Sequence, residues 1–107
     1  MKGRPPAVNV DVMAHLAALR DRMTAEERAE YDERVLAIRT VLDLVEQRKK
    51  RRLSQRAIAD RMGVTQPVIA RLEKPLEPTW RQPSLTVLSR YAAALGLVLE
   101  VRLRPAA

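Results

Sequence analysis

Cysteine is absent from the chain, which excludes disulfides, thiolate zinc sites and cysteine-dependent catalysis. Phenylalanine is absent too, and aromatic residues make up only 3% of the sequence. With hydrophobic residues at 47%, the interior has to be built from Leu, Val, Ile, Ala and Met, a composition that favours helices. No apolar run is long enough to span a membrane and no signal peptide is recognisable, so a cytoplasmic location is expected. Histidine occurs once, at His15. Without cysteine or a second histidine to complete a ligand set, an exposed helical side chain is a better reading than a metal ligand or general base, and no metal or cofactor is expected. A length of 107 residues suits one domain with an arm or a tail; its core is necessarily small, and dimerisation would add buried surface.

Charge is present in excess and unevenly placed. The net charge is +7, yet residues 20–46 carry five basic and eight acidic side chains, while residues 47–107 carry thirteen basic and four acidic. An acidic arm is thus joined to a basic domain, and a basic balance of this kind suits a polyanion-binding surface.

The densest pattern runs from Gln55 to Leu72, QRAIADRMGVTQPVIARL, and reads as two short helices joined by a tight turn. Ala59 leaves room for a second helix, and Gly63 stands where a chain leaving a helix needs a left-handed residue. Val64 follows as a core plug and Thr65 can cap the next helix. Ile58, Met62, Val64, Ile69 and Leu72 fall on the facing sides of two crossing helices, which makes a helix-turn-helix. Thr65 to Lys74 is the expected recognition helix, with Pro67 in its first turn and Val68, Ile69 and Leu72 directed inward. Its outward positions are then Thr65, Gln66, Pro67, Ala70, Arg71 and Lys74. Gln66 can pair with adenine in the major groove, and the short Ala70 leaves room for a thymine methyl. Arg71 can reach DNA or pair internally with Glu73 or Glu77.

The order Gln55, Ala59, Gly63, Val64, Ile69, Leu72 resembles the DNA-binding unit of the lambda-repressor-like (XRE) family, and the flanks Leu53-Ser54-Gln55 and Leu72-Glu73 are similar to that family's. The resemblance covers about half of the chain. It implies that Gln55, at the start of a helix capped by Ser54, meets the DNA backbone. It also implies that the cationic run in Gln47 to Arg52, together with Arg56, lies near phosphates flanking the recognition helix; a solvated helix end is the alternative for the run.

Before the motif, Met1–Pro6 is expected to be unstructured, and Asn9 or Asp11 to cap a helix running to about Met23 with Val12, Leu16, Leu19 and Met23 on one stripe. Thr24 and Glu27 have capping-box spacing and open a second helix that can run to about Lys50. Tyr31, Val35, Ile38, Leu42 and Val45 supply its apolar seam, widened by Leu36, Val41 and Leu44. Glu26, Glu27, Glu30, Asp32 and Glu33 lie in its first turns. They read as a solvated face rather than catalytic carboxylates, and they are the candidate site for a basic protein partner.

After the motif, Pro75–Pro83 carries three prolines and is expected to be a loop, longer than is usual at this place in the family. Trp80 either packs beneath it or stacks on a sugar, and Arg81 is its phosphate candidate. Ser84 caps a helix with Leu85, Leu88, Tyr91, Ala92 and Leu95 inward, and Gly96 ends it. Leu97–Arg104 alternates as a half-buried strand with no partner in the chain. A twofold copy can supply one, placing Leu97, Leu99, Val101 and Leu103 over Tyr91 and Leu95. A strand in this place resembles HipB-type antitoxins, and a helical extension before the domain resembles some HigA-type antitoxins.

The expected fold is therefore mostly α. It is a five- to six-helix lambda-repressor-like domain over 34–96, preceded by a flexible tail and acidic helical extension over 1–33 and followed by a dimerisation strand and tail over 97–107. The expected function is a homodimeric, sequence-specific repressor without enzymatic activity, binding double-stranded DNA at an inverted-repeat operator. The resemblance implies the antitoxin of a type II toxin-antitoxin pair that regulates its own operon, with a toxin protein as partner. The alternatives are a phage-type or general XRE regulator without a toxin, and a protein-interaction module on a helix-turn-helix scaffold.

Overall fold

A computed structural model describes residues 8–105. Met1–Pro6 lies outside them, and the side chains of Asn9, Asp11, Val12 and Leu16 are likewise not described. Five α-helices follow one another: α1 (Val8–Arg22), α2 (Ala25–Lys50), α3 (Gln55–Met62), α4 (Gln66–Leu72) and α5 (Leu85–Ala94). The chain divides into two compact units, Met1–Val35 and Leu36–Ala107, so α2 contributes to both. Five helices, at the lower end of the expected five to six, are found among the described residues, and the prolines of 75–83 leave that segment a loop as expected.

In the first unit α2 opens with the expected capping box. The Thr24 amide donates to Glu27 Oε1 at 2.8 Å and the Glu27 amide donates to Thr24 Oγ1 at 3.1 Å, satisfying two of the amides that a helix start leaves unpaired. Arg28 reaches back to the end of α1, donating to the carbonyls of Arg20, Asp21 and Met23. Arg20 closes a two-pronged ion pair with Asp32, at 2.9 and 2.6 Å. His15 is exposed.

In the second unit the buried face of α2 is Ala37, Val41, Leu44 and Arg48, which keeps the expected Val41 and Leu44 but is centred one position away from the seam of Ile38, Leu42 and Val45. Leu36 and Leu42 are exposed, and Ile38 and Val45 only flank the core. The pattern misleads because an alanine and an arginine hold two of the four inward positions. After Lys50 the helix ends in a left-handed knot: the Leu53 amide bonds the Arg48 carbonyl, the Arg52 amide bonds that of Lys49, and Arg52 sits at φ 55°. Gly63 ends α3 in the same way at φ 71°, with the Val64 amide on the Ala59 carbonyl.

Ser54 Oγ caps α3 through the Ala57 amide, and Ser84 Oγ caps α5 through the Val87 amide. Thr65 occupies the N-cap of α4, but its side chain makes no capping bond. Val64 is exposed rather than plugged into the core, and so is Leu85 at the first turn of α5. Ile58, Ala59 and Ile69 fill the crossing of α3 and α4 instead, and Leu88, Tyr91, Ala92 and Leu95 of α5 complete the core. Trp80 is buried against it, with Nε1 donating to the Leu72 carbonyl at 2.9 Å, so it packs under the loop. Residues 97–105 carry no regular secondary structure in the single chain described. Leu97 and Leu99 are half-buried on the core, whereas Val98, Val101 and Leu103 are exposed. Among the described residues no helix is long and apolar enough to cross a membrane.

Candidate nucleic-acid interface

The interface begins with a buried carboxylate. Glu73 lies at the C-cap of α4, and each of its oxygens takes two donors. Oε2 accepts from Arg48 Nε at 2.8 Å and from the Tyr91 hydroxyl; Oε1 accepts from Arg48 Nη2 at 2.8 Å and from Gln55 Nε2 at 2.9 Å. Its lone-pair capacity is thereby filled. The carboxylate and guanidinium side chains keep only 5% and 11% exposure, and Tyr91 keeps none. Burial pushes the Glu73 carboxyl up, but the hydrogen bonds from Arg48, Tyr91 and Gln55 outweigh it and hold the group below its ordinary range. Burial first, and then the bond to Glu73, raises the Tyr91 hydroxyl above its ordinary value, while the bond to Glu73 raises the Arg48 guanidinium despite desolvation. Arg48 also donates to the Leu53 carbonyl at 2.9 Å.

From this anchor a chain of amides leads to the surface. Gln55, half-buried at the first residue of α3, accepts at Oε1 from Gln66 Nε2 at 2.7 Å, and Gln66 stands exposed at the first residue of α4. Two glutamines eleven residues apart are thus brought together by the turn around Gly63. Around Gln66 the α4 surface exposes Thr65, Pro67, Arg71 and Lys74, with Ala70 half-buried, while Arg52 and Arg56 are exposed on the approach to and first turn of α3. Arg71 and Lys74 share an open groove with Arg81 of the loop, floored by Leu72 and Trp80.

A family model described as helix-turn-helix matches residues 44–78. These residues hold α3, the turn at Gly63 and α4, and they form a helix-turn-helix. Over 69 residues the chain is 48% identical to Antitoxin HigA1 of Mycobacterium tuberculosis, in both strain CDC 1551 / Oshkosh and strain ATCC 25618 / H37Rv. The match takes in 61% of this chain but 44% of those relatives, so the chain spans less than half of their length. No solved structure matches it at a significant level.

Several positions of the helix-turn-helix differ from the sequence reading. Arg48 belongs to the cationic run expected near phosphates, yet it is buried on Glu73 because a carboxylate inside this core requires a cation. That pair also removes Glu73 as a partner for Arg71, and among the described residues no ion pair joins Arg71 to Glu77. Val68, expected inward, is 37% exposed and lines the groove beside Arg71. Tyr91 and Leu95 are core residues of their own chain. Sequence reasoning missed the Arg48–Glu73–Tyr91 cluster. Its signal was the spacing of Arg48, which continues the steps Ala37, Val41, Leu44 along one helix face.

The acidic residues of the extension are also partly committed. Glu27 is used in the capping box and Asp32 in the ion pair with Arg20, and all five of Glu26, Glu27, Glu30, Asp32 and Glu33 are exposed along the same stretch.

Proposed function

We propose that the chain is a DNA-binding transcriptional regulator that acts as a homodimer on an inverted-repeat operator, without catalysis, and serves as the antitoxin of a type II toxin-antitoxin pair. The observation that carries DNA binding is Gln66, held by Gln55 on the exposed face of α4 and flanked by Arg52, Arg56, Arg71 and Lys74. Thr65, Pro67 and Ala70 complete the surface facing the groove, and Arg81 extends its cationic rim. Cations position the protein on phosphates and the glutamine reads a base edge. The likeness to Antitoxin HigA1 supports the antitoxin role.

A dimer places two recognition helices in successive major grooves about 34 Å apart. The exposed Val101 and Leu103, continuing the segment that Leu97 and Leu99 pin to the core, supply the surface for a second copy. A chain ending at Gly96 should then sediment as a monomer and lose operator cooperativity, whereas a tight truncated dimer would move the interface onto the helices. Glu26, Glu27, Glu30, Asp32 and Glu33 supply the surface for a basic toxin. Deleting residues 1–30 should abolish neutralisation while keeping operator affinity within about tenfold.

The deciding experiment is an operator titration by fluorescence anisotropy. Gln66→Ala should lower discrimination at one base pair per half-site by roughly 1–3 kcal/mol. Arg56→Ala should weaken all sequences together and reduce the log-log salt slope by about one. If Gln66→Ala weakened every sequence equally, Gln66 would not be the base reader.

A further inference from the structure

A carboxylate accepts hydrogen bonds and cannot donate them. Glu73 therefore dictates which end of the Gln55 amide faces it, and that end is Nε2, at 2.9 Å. Gln55 must then turn Oε1 toward α4, where Gln66 meets it with Nε2 at 2.7 Å. One N–H of Gln66 is consumed in this contact. Its outer edge is left with one N–H and the carbonyl oxygen. One donor beside one acceptor complements the N7 and the amino group of adenine, whereas guanine offers two acceptors, N7 and O6, at the same edge.

We propose that Glu73 is a specificity-determining positioning residue: through Gln55 it fixes the polarity of the Gln66 amide and so favours adenine over guanine at the base pair that Gln66 faces. The proposal rests on Gln66 being the base reader. Glu73 itself is too buried to touch DNA, with a side chain 5% exposed, and it is immobilised by Arg48 from α2 and Tyr91 from α5. The buried cluster thus reaches the base edge through two amides. Flipping either amide would place two donors or two acceptors against each other, so the order is set from the inside outward.

The test uses the full chain and two operator duplexes that differ only by A·T or G·C at the position where Gln66→Ala loses discrimination. The ratio of their dissociation constants is measured for the unsubstituted protein, Gln66→Ala, Gln55→Met and Glu73→Gln, with helicity checked by circular dichroism. Gln55→Met leaves the Arg48–Glu73 pair in place and releases both N–H groups of Gln66. Glu73→Gln removes the acceptor-only constraint. Each should reduce the A·T preference at least about fivefold, and neither should alter the ratio further in a Gln66→Ala background. A uniform loss of affinity with an unchanged ratio in folded Gln55→Met or Glu73→Gln would overturn the positioning role and leave Glu73 as a purely structural residue. Should Glu73→Gln fail to fold, the ratio in Gln55→Met decides the matter alone. An A·T preference that Gln66→Ala itself leaves intact would overturn the base-reading assignment, and the positioning role with it.

Discussion

Two arginine–carboxylate pairs of nearly the same geometry stand in the two units of the chain. Arg20 grips Asp32 through Nε and Nη2, and Arg48 grips Glu73 through the same two atoms. The first pair keeps 27% and 50% side-chain exposure, the second 11% and 5%. In water the exposed pair gains little, because solvent and salt already screen each charge. Inside the core the ions have lost their hydration, so each becomes indispensable to the other although the pair as a whole adds little over apolar packing. Geometry alone therefore does not rank ion pairs. The surroundings do.

The sharpest way to break this comparison is Glu73→Ala. It strands a buried guanidinium and leaves Gln55 and Tyr91 each short of a partner, so urea unfolding followed by circular dichroism should show a loss of about 3–5 kcal/mol. A loss below about 1 kcal/mol would mean that water replaces the carboxylate, and the burial argument would fail.

The pH dependence follows next. Glu73 titrates lower in the folded chain than its ordinary 4.5, so its contribution is fully present above that value and is lost as pH falls through the folded one. Tyr91 titrates higher than its ordinary 10.0, so its contribution is present below that value and fades at more alkaline pH. Stability measured between pH 3 and 6 should fall more steeply in the parent chain than in Glu73→Gln; parallel curves would assign acid unfolding to other carboxylates.

A smaller and opposite effect is expected at Arg52. A left-handed non-glycine residue costs about 1 kcal/mol, so Arg52→Gly should raise the urea midpoint slightly while weakening operator binding through loss of a cation. Lower stability would show that the Arg52 side chain holds the helix end. Least of all should come from Arg20→Ala, with a melting temperature unchanged within error at any salt concentration; a clear drop would place the exposed pair in the same class as the buried one.

Much of this arrangement was legible in the sequence, because local rules govern it. Ser54, Ser84 and the Thr24–Glu27 box announce helix starts, and Gly63 and Gly96 announce helix ends with positive φ. The same rules miss Arg52, which takes the left-handed position without being glycine, and overstate Thr65, which sits at an N-cap without bonding. Hydropathy found Val41 and Leu44 but centred the core of α2 one position off, since Arg48 counts as polar until Glu73 is seen opposite it, 25 residues away. The exposure of Gln66, Arg71 and Lys74 was legible residue by residue. The internal wiring of the candidate interface was not, because an amide-to-amide contact across a turn leaves no periodic trace.

The buried indole under the loop gives the molecule an optical handle. Trp80 is the sole tryptophan, and its N–H is bonded to the carbonyl of Leu72, the last residue of α4. Light that excites indole selectively therefore reports on one locus, the C-terminal end of α4, without any label. Loosening of that end exposes the ring to water and shifts its emission to longer wavelength. On the proposed function, an operator fragment seated on Arg71 and Lys74 would alter the field beside the ring, in the groove that these cations share with Trp80. Emission colour and intensity can thus be followed together during a single titration, separating fraying of α4 from occupation of its surface.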